Sequence, residues 1–330
     1  MNLIEINEKF PDELSCIEHA EKIRFGEIVK CAYCGSISLS KRNKDFRHRC
    51  LDCKKGTSVT VNTALHDTRL PLKIWFMAFA IVSDAKKGLS ALQLKRNLGL
   101  HYETAFKMYH KIRDFMVEDN KGISELEGIV EMDETYVGAK RPRLPNSGER
   151  GNHETEPMPK LDERVKELKK EGFNFKAEKG NPAFIDDDIK RGRGTKKTPV
   201  VGIIERDGNV VAEVMKNTTF ENLKEMLEKF VNEEDSVLVT DEYSGYSKMD
   251  RIIEHVTIDH KKMYSYKGVN TNSIESFWAI IKRQIMGQHH HVSAKYLPKY
   301  VSEAVFKYNN RKEDNMFEIL MSNAFKSMPR

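Results

Sequence analysis

The chain has 330 residues, 39% hydrophobic and 32% charged, with 55 Lys and Arg against 50 Asp and Glu for a formal net charge of +5. That length exceeds what one core usually serves, so two or three units are expected. The longest unbroken apolar run, Ile74 to Val82, is nine residues, far short of the roughly 20 that span a bilayer. No basic and then apolar leader opens the chain, so a soluble protein of the reducing cytoplasm, with no membrane partner, is expected.

The charge is uneven. Positions 30 to 115 hold 17 Lys and Arg against 6 Asp and Glu, a net of +11, which leaves −6 for the remainder. A basic front half points to a polyanionic partner, of which nucleic acid is the commonest. In residues 1–30, Pro11 can open a helix whose Leu14, Ile17 and Ile23 pack on the adjoining segment. Cys16 within it reads as a small buried hydrophobe.

Cys31 and Cys34 form one C-x2-C pair and Cys50 and Cys53 another, with fifteen residues between the pairs. Four thiolates in that spacing can surround one Zn2+ tetrahedrally, and in a cytoplasmic chain two disulfides are the poorer reading. Residues 31–69 are therefore expected to be a zinc ribbon. Between the pairs, Lys41, Arg42, Lys44, Arg47 and Arg49 are available to phosphates, with Phe46 stacking or packing.

Residues 70–120 have helical periodicity throughout. A first apolar helix starts at Pro71, a short second one ends at Gly99, and a third turns Ala105, Met108, Tyr109, Ile112, Phe115 and Met116 inward. Short helix, glycine turn and longer helix make a helix-turn-helix pattern, whose outward Thr104, Lys107 and Lys111 are candidates for DNA contact. An ordinary helical bundle with solvated lysines is the alternative.

From residue 121 the pattern changes to strands. Ile129 to Val137 reads as a strand with Asp133 near its centre. A polar tract over 139–199, with a weak helical signal at Leu161, Val165 and Leu168, reads as an insertion. Val200 to Glu205 and Val210 to Lys216 then form a hairpin around Asp207-Gly208-Asn209, and Glu221 to Asn232 forms a helix. The aliphatic run Val237-Leu238-Val239 is a buried strand ending at Asp241. Ile274, Phe277, Trp278, Ile281 and Ile285 mark a last helix stripe capped by Ser273. At about 100° per residue, Glu275 and Lys282 fall on one flank of it.

Asp133, Asp241 and Glu275 can thus converge from two strands and a helix. Three carboxylates so placed would raise one another's pKa unless divalent cations such as Mg2+ lay between them, which is the composition of a two-metal phosphodiester site. Glu134 and Glu242, on the opposite faces of their strands, are excluded by alternation. His289 to His291 read as a solvated loop cluster.

The element order resembles the ribonuclease H-like fold, and the motifs resemble one family over nearly the whole chain. CAYCGS, MDETYVG, VTDEYSGY, TNSIESFWAIIKR and GQHHHVSAKYLPKYVSEAVFKYNNRK are similar, in that order, to blocks of the ISXO-like DDE transposases of bacterial insertion sequences. The resemblance implies a multidomain α+β and α/β protein, with an N-terminal helical segment, a zinc ribbon, a helix-turn-helix domain and a ribonuclease H-like catalytic domain over 121–330. It further implies Asp133, Asp241 and Glu275 as the acidic triad holding two Mg2+ or Mn2+, Lys282 as the basic residue seven positions on, and one Zn2+ per chain. Transposon ends and target DNA would be the partners, bound by a homodimer or higher oligomer. Asn270 stands where the family often has His. A nuclease of the same fold and a catalytically silent DNA-binding regulator are the competing readings.

Overall fold

The computed structural model describes residues 1–123, 125–138, 197–258, 270–313 and 315–326. The polar tract expected over 139–199 lies outside the described residues up to position 196; its last two residues, Thr198 and Pro199, belong instead to a strand. The described residues within 1–138 and 198–326 form one compact unit.

The front half is built on helices α1 (Leu3–Lys9), α2 (Glu13–Phe25), α3 (Leu72–Asp84), α4 (Ala91–Leu98) and α5 (Tyr102–Asn120). Within the N-terminal helical segment the sequence pattern predicts a helix only from Pro11 onward, which leaves out α1. Its signal is a capping box, in which the Asn2 side chain accepts from the Ile4 and Glu5 N–H groups and Glu5 returns a bond to the Asn2 N–H. Helix α3 is apolar on nearly every side and has no cap of its own. Glu13 of α2 supplies one, taking the Leu72 and Lys73 N–H groups at 2.7 and 3.1 Å. Gly99 ends α4 in the left-handed conformation, φ +64°. The six α5 residues expected to point inward are all buried, as are Cys16 and Ile17. Leu14 is instead exposed, because the face of α2 that meets α3 carries Cys16, Ile17 and Ala20.

Between α2 and α3 the chain makes a small antiparallel ribbon of β1 (His48–Arg49) and β2 (Gly56–Thr57). After α5 comes a five-stranded mixed sheet in the order β5-β4-β3-β6-β7. Its strands are β3 (Leu126–Val137), β4 (Thr198–Glu205), β5 (Val210–Val214), β6 (Val231–Asp241) and β7 (Glu254–Ile258). The first three form an antiparallel meander, whereas β6 and β7 run parallel to β3. The strand ends depart from expectation by a few residues. β3 begins at Leu126, and helix α6 (Phe220–Phe230) stops two residues early because Val231 opens β6.

Each face of the sheet is covered. Leu223, Met226 and Leu227 of α6 pack on Val130, Met132, Val201, Ile203 and Leu238. On the other face, Ile274, Phe277, Trp278 and Ile281 of α7 (Asn272–Gln284) and Val301 and Val305 of α8 (Leu297–Asn309) pack on Val200 and Ile204. The final helix, α9 (Met316–Phe325), leaves the sheet altogether. Its Phe317, Leu320, Met321, Ala324 and Phe325 complete the front core with α2, α3 and α5. The two halves therefore share a core element.

Two further expectations are corrected. Ser273 does not cap α7 but sits inside its first turn, after Thr271 and Asn272. The histidine cluster is not uniformly solvated. His289 ends a π-turn (Ile285–His289), its ring lies 4.6 Å from that of Tyr300, and burial and Arg113 bring its pKa down to about 4.

Candidate active site

The four ribbon cysteines come together as their spacing requires, with all four sulfur atoms within 4.8 Å of one another. Cys31 and Cys53 are 3.7 Å apart and Cys34 and Cys50 3.6 Å apart, close to the about 3.8 Å edge of a Zn–S4 tetrahedron. Backbone N–H groups of Cys53 and Asp52 lower the Cys50 thiol to about 7, while, against the pull of the Ser36 backbone N–H, burial and the neighbouring sulfur atoms push Cys34 up to about 12, so four thiolates together call for a cation between them. The donor set fits zinc.

Around this cluster the basic residues divide. Lys41, Lys44, Arg47 and Arg49 are exposed. Arg42 is not presented in the same way, because its guanidinium is held by Glu18 at 3.0 Å and by the buried Glu21, bracing the ribbon on α2. On α5, Lys107 is exposed beside Glu103 at 3.9 Å, and Thr104 and Lys111 are half-buried.

Strand alternation divides the acids of β3 between the faces of the sheet. Glu131 and Asp133 face α7, whereas Val130, Met132 and Glu134 face α6. Asp133 pairs with Gly202 on β4. On its other side, Glu131 is level with Val239, so the same register, carried on two residues, brings Asp133 level with Asp241 at the end of β6. Burial first, then the charges of Glu134 and Asp241, push the Asp133 carboxyl up to about 7. Trp278 of α7 donates its indole N–H to Asp133 Oδ2 at 3.0 Å, and Asp241 Oδ1 accepts the Tyr243 N–H at 3.0 Å. From the far face, Glu134 accepts the buried Tyr246 hydroxyl at 2.9 Å.

Gly202 makes the Trp278 contact feasible. A Cβ at that position would meet the indole at 2.7 and 2.9 Å, closer than atoms in contact can approach. The ring therefore lies over the glycine, with its nitrogen turned to the neighbouring strand.

Glu275 and Lys282 occupy the first and last turns of α7, and both are exposed. Among the described residues, the four cysteines are the one cluster gathered tightly enough to hold a single ion. Asp133, Asp241 and Glu275 are not gathered in that way. The structure places Asp133 and Asp241 side by side and anchors the helix of Glu275 over the same face. Sequence reasoning missed Glu131, Gly202, Trp278 and Tyr246 as parts of this site. Only Glu131 had a signal, being two positions before Asp133 and so on the same face.

Among the described residues, no helix is long and apolar enough to cross a membrane. No curated protein matches the chain. Solved structures give distant likenesses. A pre-cleavage Mos1 transpososome is 10% identical over 77% of this chain and 80% of that chain, with a TM-score of 0.26. The Mos1 strand transfer complex is 11% identical over 76% and 78%, also at 0.26. Superpositions at that level carry no weight for the fold or the site. The family comparison is more specific, and the segment that it covers contains Asp241, Glu275 and Lys282 but not Asp133. Over residues 177–309 the chain matches the family model of the ISXO2-like transposase domain, the family that its sequence motifs resemble.

Proposed function

We propose that the protein is a metal-dependent DNA transposase, acting on the ends of its own mobile element. The observation that carries this reading is that the register pairing Glu131 with Val239, carried on two residues, sets Asp133 level with Asp241 on adjacent parallel strands, under a helix that bears Glu275. Burial, then the charges of Glu134 and Asp241, push the half-buried Asp133 carboxyl up to about 7, so the protein alone holds its anion poorly and a cation there would be favoured. The strand order, an antiparallel meander followed by two parallel strands, supports a ribonuclease H-like assignment.

In this reading Asp133, Asp241 and Glu275 hold two divalent cations, Mg2+ or Mn2+. When bound, such ions polarise the scissile phosphate and make water, or a 3′ hydroxyl, nucleophilic. Trp278 fixes one oxygen of Asp133, so that the carboxylate presents a set edge to the site. Lys282, exposed on the last turn of α7, is placed to orient a phosphate. The first step is hydrolysis of the phosphodiester at an element end; in the second, the freed 3′ hydroxyl attacks target DNA.

The basic ribbon and the α4–α5 helix pair are the proposed end-reading modules, with Lys41, Lys44, Arg47, Arg49, Thr104, Lys107 and Lys111 at the DNA. A dimer or larger oligomer would bring two ends together. Incubation with DNA bearing the inverted repeats that flank the gene, in Mg2+ or Mn2+, tests the reading. Nicking at the end and joining to a target are expected, and Asp133→Asn, Asp241→Asn and Glu275→Gln should each abolish both while leaving end binding intact. Cutting without joining would identify a nuclease, and binding without metal-dependent cutting a regulator. Retained joining in Asp241→Asn would remove the proposed site.

A further inference from the structure

Glu131 is fully buried, and its carboxylate receives four hydrogen bonds. Oε2 accepts the backbone N–H groups of Ser273 and Ile274 at 2.9 and 3.0 Å. Oε1 accepts the Ser273 hydroxyl at 3.0 Å and Arg206 Nη2 at 3.2 Å. Two of these donors are first-turn amides of α7, which have no partner within their own helix, and the negative charge sits at the positive end of the helix dipole. Arg206 also donates to the Asn270 carbonyl at 3.0 Å, holding the chain where it enters the helix.

The position of this bond set matters. Glu131 is two residues from Asp133 on the same strand and the same face, and Ile274 is the residue immediately before Glu275. One turn further along α7, Trp278 is tied to Asp133 itself. A buried carboxylate thus joins the strand of one proposed metal ligand to the helix of another. All four of its acceptor sites are engaged, so it has none to spare for an ion.

We propose that Glu131 is a positioning residue that sets Glu275 against Asp133, and that the divalent-cation affinity of the site depends on it without its being a ligand. The inference rests on the active-site reading above. Groups that orient metal ligands cost about 10–100-fold in affinity or activity when lost, and here two N–H donors, a hydroxyl and a guanidinium would lose their acceptor together.

The test is a Mn2+ titration of the full-length protein, read by the electron paramagnetic resonance of free Mn2+, alongside end joining. Glu131→Gln should weaken Mn2+ binding by about tenfold or more, with joining recovering as Mn2+ is raised. In a Glu275→Gln background, the same change should weaken Mn2+ binding no further, because the ligand that Glu131 positions is already lost. Unchanged Mn2+ affinity in Glu131→Gln, or an equal loss in both backgrounds, overturns the positioning role alone. Failure of the wild type to bind Mn2+ in a way that Asp133→Asn removes overturns the active-site reading with it. Thermal unfolding reports whether Glu131→Gln folds. If it does not, Ser273→Ala decides, since it removes one donor and leaves the acid in place; a smaller loss of Mn2+ affinity supports the role and no loss overturns it.

Discussion

The indole nitrogen of Trp278 lies 3.0 Å from Asp133 Oδ2, reaching it across Gly202 of the neighbouring strand. A core residue of α7 therefore doubles as the hydrogen-bond donor to a proposed catalytic acid, and a glycine between them provides the space.

Gly202→Ala is expected to destabilise the protein by about 1–3 kcal/mol, since the added methyl group must displace a large ring from a packed interface. Displacing the ring also breaks its bond to Asp133. Thermal unfolding checks the first effect. The second should appear as a change in the fluorescence of Trp278, measured in a Trp75→Phe background so that it is the sole indole, and as lost joining. Unchanged stability and fluorescence would mean that the ring is not held over the glycine.

The raised pKa of Asp133 has a direct consequence for stability. Its carboxyl ionises near pH 3.8 when unfolded and at about 7 in the fold. Between those values the folded state binds the proton more strongly, so this group makes stability fall as pH rises from about 4 to about 7. His110 and His289, brought by burial and Arg113 to about 4, have the opposite slope over part of the same range, from about 4 up to their ordinary value of 6.5. The comparison must therefore be between variants. The melting temperature of Asp133→Asn relative to wild type should rise steadily from pH 4 to pH 7, and added Mg2+ should reduce the difference at pH 7. A difference independent of pH would remove the claim.

The two halves of the protein meet at a buried ion pair. Glu303 of α8 accepts from Arg113 Nε of α5 at 2.8 Å, Lys307 Nζ at 2.8 Å and the Tyr109 hydroxyl at 2.5 Å. Arg113 lies between the rings of Tyr109 and Tyr300, 3.7 and 3.8 Å from their centroids. Against the upward push of burial, Lys307 and Arg113 bring Glu303 down to about 2. Glu303→Gln would leave two buried cations without their counter-charge, at a cost of about 3–5 kcal/mol. Calorimetry should show a lower melting temperature for the whole unit, not loss of one half.

In the ribbon, one zinc per chain is expected by metal analysis, and a Cys31→Ser/Cys50→Ser variant should lose it. The basic residues should separate into two kinds. Lys44→Ala and Arg47→Ala should reduce the salt dependence of end binding, by about one counterion each, with little effect on melting. Arg42→Ala should do the reverse, costing about 1–3 kcal/mol because it removes the guanidinium from one oxygen of the buried Glu21, whose other oxygen lies 3.6 Å from His48 Nε2. A reduced salt slope with unchanged melting in Arg42→Ala would put that side chain at the DNA after all.

The sequence by itself determined the features that depend on local spacing. Two C-x2-C pairs predicted the cysteine cluster, which forms because short knuckles turn paired thiols to one side. Apolar periodicity gave α3, α4 and α5, with the correct inward residues for α5, and runs of β-branched residues located β3, β4, β5 and the end of β6, while β7 and the first six residues of β6 carried no such signal. Alternation alone separated Asp133 from Glu134.

Tertiary structure decided what depends on long-range contact. Nothing in a linear pattern distinguishes Arg42 from Lys44, since the difference is the presence of Glu18 and Glu21 more than twenty residues earlier. Trp278 reads as core because its stripe is core, and its nitrogen finds Asp133 only when α7 crosses the sheet over Gly202. Ser273 resembles a cap, yet the acceptor at that helix end is Glu131, 142 positions away. The last helix returns to the front core for a similar reason: Phe317, Leu320 and Phe325 bury their surface where α2, α3 and α5 leave room. A hydrophobic stripe specifies that a helix must be covered, and only the packed chain specifies by what.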